Sequence, residues 1–333
     1  MDSTIFQQFC TEVGTLSVSQ IRHLGEVLRT LDARIDLLSR IDERRAALTK
    51  CLYCGGTSLR RWGQTRTGLQ RLRCGGCGKT FSSATSTAVE RVRKPEKFHR
   101  VVADMFSTVP QSCRKLGDEL GLDKMTIWRW RHRIIMAMLG VGATDLSGIV
   151  EADEKLFRES RKGSREWVNH FRNPTIYSAP PRKRWEDYRR SKVRNNVAMS
   201  WQIPVLTVVD RSGGRRADVL PSRSGQPLLD RLDEHIGQHA VLCSDGDAIY
   251  QVFARGRGIP HYALSTKTGP RLIANAFHIQ TINSLHDRFE RFMEPFRGPA
   301  TKNLPAYTAW FIARLIGGRT VAADAAWRRM LAA

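Results

Sequence analysis

Apolar residues change their rhythm along this chain, and the changes divide it. Over residues 1–48 they fall at helical spacing, with Ile21, Leu24, Val27, Leu28 and Leu31 continued by Ile35, Leu38 and Ile41. This predicts a helical N-terminal segment, either a dimerisation helix pair or a cap on the rest. Residues 49–85 lose that stripe and gain cysteine and glycine. Helical spacing returns over 95–140. There, Ser112 to Leu122 reads as a helix and a turn, and Asp123 is placed to cap a second helix. On that helix Ile127, Trp130 and Ile134 share an apolar face, and Thr126, Arg129 and Arg133 share a polar one. Over 148–320 short apolar runs predict strands at 148–153, 205–210, 217–220 and 240–245. Helices are predicted at 227–236, 279–294 and 304–317. The order implies a multidomain α/β chain with a mixed sheet and flanking helices.

Charge adds a partner to this outline. Lys and Arg outnumber Asp and Glu 54 to 32, for a formal net charge of +22 and a pI near 10.4. Such an excess fits a phosphate polyanion, because neutralising phosphates releases counterions. Thr126, Arg129 and Arg133 then become candidates to enter the major groove of double-stranded DNA, as the second helix of a helix-turn-helix would. Residues 161–195 carry eleven Lys or Arg against three acids, with Pro174, Pro180 and Pro181, and read as a mobile basic loop. The N-terminus lacks a basic start followed by an apolar stretch, so no secretory signal is expected. No run of about 18 apolar residues predicts a membrane span. The cysteines are odd in number, seven, which fits a reducing cytoplasm better than a disulfide scaffold.

Four of those cysteines form a pattern. Cys51-x2-Cys54 and Cys74-x2-Cys77 are separated by 19 residues. Two such spaced pairs aim four thiolates at one Zn²⁺, and four protein ligands close a structural site. The intervening segments around Arg60–Trp62 and Leu69–Arg73 read as strands of a zinc ribbon over 49–85.

Acidic residues at the ends of apolar strands are the most informative chemistry in so basic a chain. Glu151-Ala152-Asp153-Glu154 follows Ile149-Val150, and Asp245 follows Val241-Leu242-Cys243-Ser244. Phosphodiester chemistry by two metal ions needs a few protein oxygens that hold hard cations beside the scissile phosphate. Asp153 and Asp245 are the candidates, with Asn283 on a following helix as third oxygen donor. Strand alternation puts Glu151 on the face of Asp153 and Glu154 on the opposite face. Glu154, Asp210 and Asp247 read as structural, and Cys243 as core.

Taken together, these stretches resemble bacterial insertion-sequence transposases of the IS-fifteen-ninety-five type. The resemblance covers about residues 50–315. It is carried by Gly148–Glu154, by Ser244-Asp245-Gly246, and by His278–Ser284 with His286 and Arg288. Phe296–Leu304 adds to it. It implies a ribonuclease H-like catalytic domain over 148–320 with an Asp-Asp-Glu or Asp-Asp-Asn triad, here Asp153, Asp245 and Asn283, binding Mg²⁺ or Mn²⁺. It further implies recognition of element ends by ribbon and helix-turn-helix, DNA cleavage and strand transfer, a homodimer or larger assembly on DNA, and a cytoplasmic, nucleoid-associated protein. His286 and Arg288 become candidate DNA contacts. The chain departs from the pattern at Glu290, where the Asn subgroup usually has Lys. Glu290 shares a helix face with Asn283 and is either a carboxylate near the metals or one half of a salt bridge. Two other readings stay open: a catalytically inactive DNA-binding relative, and a structure-selective nuclease.

Overall fold

The computed structural model describes residues 2–179, 202–221, 225–264, 269 and 271–332. The chain divides into two compact units, Met1–Ala137 with Gly317–Ala333, and Met138–Ile316.

The first unit opens with helix α1 (Ser3–Val13) and the long α2 (Val18–Ala46). The helical stripe read over 1–48 is therefore interrupted. Ser17 caps α2 in a box with Gln20, which satisfies two of the helix's orphan amides. Leu37 and Ile41 bury the C-terminal half of α2. A three-stranded antiparallel sheet follows, of β1 (Leu59–Gln64), β2 (Gln70–Cys74) and β3 (Thr80–Ser82) in that order.

Three helices come next: α3 (Pro95–Met105), α4 (Cys113–Leu120) and α5 (Lys124–Ala137). The turn between α4 and α5 is tight, because Leu122 N donates to Gly117 O at 2.8 Å. A Cβ on Gly117 would stand 2.7 Å from Leu122 O, so a side chain there would force the turn open. Phe98, Leu116, Ile127 and Ile134 are buried among these helices. So is Arg131, whose Nη2 donates to Asp104 Oδ2 at 2.6 Å and to Gln111 O at 2.7 Å. The C-terminal helix α11 (Arg319–Leu331, numbered after the second unit's helices) belongs to this unit as well, with Trp327 buried and Asp324 paired to Arg40.

The second unit is a mixed five-stranded sheet with flanking helices, compatible with a ribonuclease H-like core. Its strands are β4 (Ile149–Arg158), β5 (Gln202–Asp210), β6 (Arg215–Val219), β7 (Val241–Ser244) and β8 (His261–Ala263), in the order β6-β5-β4-β7-β8. β4, β5 and β6 pair antiparallel; β7 joins β4, and β8 joins β7, in parallel. Helices α7 (Gly225–His235) and α8 (Ala248–Arg257) cover one face through Leu228, Leu232, Tyr250 and Phe253. Helices α9 (Gln280–Met293) and α10 (Leu304–Ala313) contribute Phe289 and Phe311, stacked at 4.4 Å.

Within the basic segment 161–195, Glu166–Arg172 form a short helix, α6, so its described part is not simply an open loop. Residues 180–195 lie outside the described residues.

Candidate functional site

The four cysteines converge. Their ligand atoms all lie within 4.8 Å of one another. Cys51 Sγ and Cys77 Sγ are 3.7 Å apart, and Cys54 Sγ and Cys74 Sγ are 3.6 Å apart. Four sulfurs each about 2.3 Å from a central zinc stand roughly 3.8 Å from one another. The two halves are built alike. Gly55 N donates to Cys51 O, and Gly78 N to Cys74 O; both glycines have φ near +70°, a left-handed conformation that suits residues without a Cβ. Burial pushes the Cys51 thiol up, but the N–H groups of Tyr53 and Cys54 outweigh it and bring it down to about 7. The Gly56 N–H pulls Cys54 down, yet the neighbouring sulfurs hold it at about 11. A bound dication would resolve that competition, with Cys51, Cys54, Cys74 and Cys77 holding it as thiolates. The cluster fits a zinc ribbon.

On the exposed three-stranded sheet, the guanidiniums of Arg73 and Arg60 sit 4.4 and 5.2 Å from the Trp62 ring centroid. On α5, Arg129 is exposed and Thr126 half-buried. Arg133 is drawn partly inward, its Nη2 donating to Glu90 O at 2.5 Å, and burial lowers its pKa. Trp128 and Met125 occupy the exposed face with Arg129.

In the second unit, the register of β4 and β7 pairs Ile149 with Val241, Val150 with Leu242 and Glu151 with Cys243. Asp153 lies two residues beyond this last pair on β4, and Asp245 two residues beyond it on the other side, just past the end of β7. Burial raises the Tyr250 hydroxyl pKa well above its ordinary value, Glu154 adds to this, and then Asp153 and Asp245 do. Tyr250 Oη donates to Glu154 Oε1 at 2.6 Å, on the opposite face of β4 from α9.

α9 is laid along β4 in step. Glu151 Oε2 accepts from Ile282 N at 2.8 Å, His286 Nδ1 lies 3.6 Å from Asp153 Oδ2, and Lys155 Nζ donates to Glu290 Oε2 at 2.8 Å. Four helical residues rise about 6.0 Å and two strand residues about 6.6 Å, so every fourth residue of α9 meets every second residue of β4. Glu151 is 1% exposed and anchors this arrangement. Its Oε1 is 2.8 Å from Arg211 Nη2, and Arg211 Nη1 donates to Thr281 Oγ1 at 2.9 Å.

His286, a candidate DNA contact, is buried. Thr207 Oγ1 donates its one proton to Asp153 O at 2.9 Å, so it accepts from His286 Nε2–H at 2.6 Å. Nδ1 is then the bare nitrogen facing Asp153. Burial, and next Lys155, lower the His286 pKa to about 4, so the ring is neutral at pH 7.

Asn283 is exposed. Seven residues separate it from Glu290, which puts both on one flank of α9, within about 20° of each other. Glu290 is engaged by Lys155, and it does not close a three-ligand set with Asp153 and Asp245; among the described residues the four cysteines form the one such set within 4.8 Å. Arg288 stands roughly 140° around the helix from Asn283. Its charge depresses Arg215, on β6, after burial does. Arg211, Lys155 and Thr207 were not singled out from the sequence, since each acts through a contact remote along the chain.

No protein-family profile matches the chain, and no curated protein matches it. Among solved structures, the chain is similar to the crystal structure of a pre-cleavage Mos1 transpososome, at 11% identity over 67% of this chain and 74% of that one. The TM-score is 0.20, and a likeness that slight carries no argument about fold or activity. No described helix is long and apolar enough to cross a membrane.

Proposed function

We propose that this chain is a transposase: it binds the terminal inverted repeats of an insertion sequence and catalyses metal-dependent cleavage and strand transfer of DNA. The observation that carries the reading is the parallel pairing of β4 with β7, which puts Asp153 on the one strand and Asp245 just past the end of the other, with α9, which carries Asn283, laid along β4. Oxygen donors at strand ends are the set that Mg²⁺ or Mn²⁺ prefers, and such ions keep several waters, so few protein ligands suffice. Asp153, Asp245 and Asn283 would hold the ions, which supply charge relief at the leaving oxygen and an activated nucleophile. Glu151 and Arg211 position α9, and Lys155 holds Glu290. The Cys51, Cys54, Cys74 and Cys77 ribbon and the α4–α5 helix-turn-helix, with Arg129 foremost, would read the element ends. A +22 chain suits a DNA partner.

The engaged Glu290 and the neutral amide of Asn283 favour one alternative, a transposase-derived DNA-binding protein without cleavage. One experiment separates the two. The purified chain is incubated with Mg²⁺ and the DNA flanking its gene, beside Asp153→Asn and Asp245→Asn. Cleavage and strand transfer that both variants abolish support the transposase. Activity surviving both variants would sink the metal site, and end-specific binding without cleavage would establish the alternative.

A further inference from the structure

The N-terminal half of α2 carries an apolar seam that its own unit does not cover. Ile21, Leu28, Leu31 and Ile35 are 47, 54, 48 and 65% exposed. Leu24, second along the seam, and Leu38, last along it, are half-buried. The steps from 21 to 24, 28, 31, 35 and 38 run three, four, three, four, three. That is a heptad with Ile21, Leu28 and Ile35 at its first position and Leu24, Leu31 and Leu38 at its fourth. The 3.5-residue period is the one that supercoils two helices about a shared stripe. A helix packed on a broad domain surface shows a wider stripe of period 3.6.

Residue types narrow the occupant. Ile at two of the three first positions with Leu at every fourth position is the arrangement that favours two parallel strands. Flanking positions agree. In a parallel in-register pair Val27 faces Asp32 of the second copy and Arg34 faces Ser39, so no like charges meet. Arg22, His23, Glu26 and Arg29 stand off the seam. The helix is prepared to serve: the Ser17–Gln20 box fixes its start, and Leu37 and Ile41 root its other half in the unit.

We propose that α2 pairs with the α2 of a second copy of this chain, in a parallel two-stranded coiled coil seamed by Ile21, Leu24, Leu28, Leu31 and Ile35. The inference stands apart from the transposase reading, since it needs neither metal nor DNA.

The test is the mass of the full chain in solution without DNA, by light scattering over a wide concentration range. The expected species is twice the 37.8 kDa chain. Leu28→Asp with Leu31→Asp should give the monomer while circular dichroism and zinc content stay unchanged. Val109→Asp, at an exposed apolar residue off α2, should leave the dimer intact. Direction is read from Leu24→Cys in a Cys10→Ser background. A parallel pair brings the two introduced thiols together and oxidises to a cross-linked dimer. In an antiparallel pair that seats first on fourth positions over 21–38, residue 24 lies opposite residue 35, about 16 Å from its counterpart, and no cross-link forms. A monomeric wild type, a higher oligomer, a dimer that survives the double Asp variant, or an absent cross-link would each overturn the proposal.

Discussion

Truncating Glu151 should loosen the start of α9 before it damages anything else. The carboxylate accepts from Ile282 N at 2.8 Å and lies 2.8 Å from Arg211 Nη2, and it is 1% exposed. A hydrogen bond to a charged group contributes about 1.5–3 kcal/mol. Arg211 keeps 32% of its side chain in solvent, so the ion pair itself adds no more than about 1 kcal/mol. Glu151→Ala should therefore cost about 2–4 kcal/mol in local stability, a factor of roughly 30 to 900 in the opening equilibrium. Glu151→Gln should cost less, because its amide oxygen can still accept from Ile282 N. Hydrogen exchange of the segment 279–290 measures this directly. Its amides should exchange faster by about that factor in the Ala variant, with the sheet β1–β3 as an unchanged internal standard. If protection of 279–290 stayed within about threefold of wild type, the carboxylate would not be what holds α9 to β4, and the account of how Asn283 is positioned would fail with it.

Three further outcomes follow from single sites. Burial pushes the Asp218 carboxyl up, but His235 at 2.7 Å and Arg216 at 2.8 Å outweigh it and bring it to about 2, below its ordinary 3.8. A depressed folded pKa stabilises above the unfolded value and loses that contribution as pH falls through the folded one, so Asp218→Asn should cost about 2 kcal/mol at neutral pH. In urea titrations the variant and wild type should converge between pH 4 and pH 2. Cys74→Ser should abolish binding of one zinc per chain by elemental mass spectrometry and unfold β1–β3, since structural zinc is worth roughly 10–16 kcal/mol in small sites. Glu290→Gln breaks an ion pair whose carboxylate is 69% exposed, so thermal melts should show a loss under about 1 kcal/mol, and any DNA cleavage should persist; abolished cleavage at unchanged stability would make Glu290 a group at the metals.

Features set by local spacing were legible in the sequence. The CxxC pairs needed no tertiary knowledge, and β4, β5 and β7 announced themselves as apolar runs. Alternation along β4 correctly separated Glu151, which faces α9, from Glu154, which faces Tyr250. What was not legible depends on contacts far apart in the chain. Lys155 meets Glu290 across 135 residues and Arg211 meets Thr281 across 70, and no local pattern marks either pair. β8 is three residues long, too short for a period-2 signal. Helical periodicity places His286 on α9 but not against Thr207; only the register of β5 on β4, which pairs Thr207 with Asp153, brings the hydroxyl beneath the ring. Arg133 looked free for DNA because its helix neighbours are polar, whereas Glu90 O lies within its reach from 43 residues away.

The step-matching of α9 and β4 also explains why two carboxylates two residues apart on one strand face do different work. Glu151 and Asp153 both point toward α9. Glu151 meets the first turn of the helix, where unpaired amides and the positive end of the dipole draw a negative charge inward. With Arg211 closing over it, that carboxylate is neutralised by the protein and shut off from solvent. Asp153 falls one helical turn later, where backbone amides are already spent on the helix. It meets a neutral ring that Thr207 holds with its bare nitrogen forward, and its side chain stays 21% exposed. A hydrated cation arriving from solvent can reach Asp153 and cannot reach Glu151. Sliding α9 by one residue would rotate its faces by about 100° and break all three rungs together. The distinction between the anchoring carboxylate and the candidate ligand is therefore a property of helix register, and Glu151 and Asp153 are not interchangeable despite their shared charge and face.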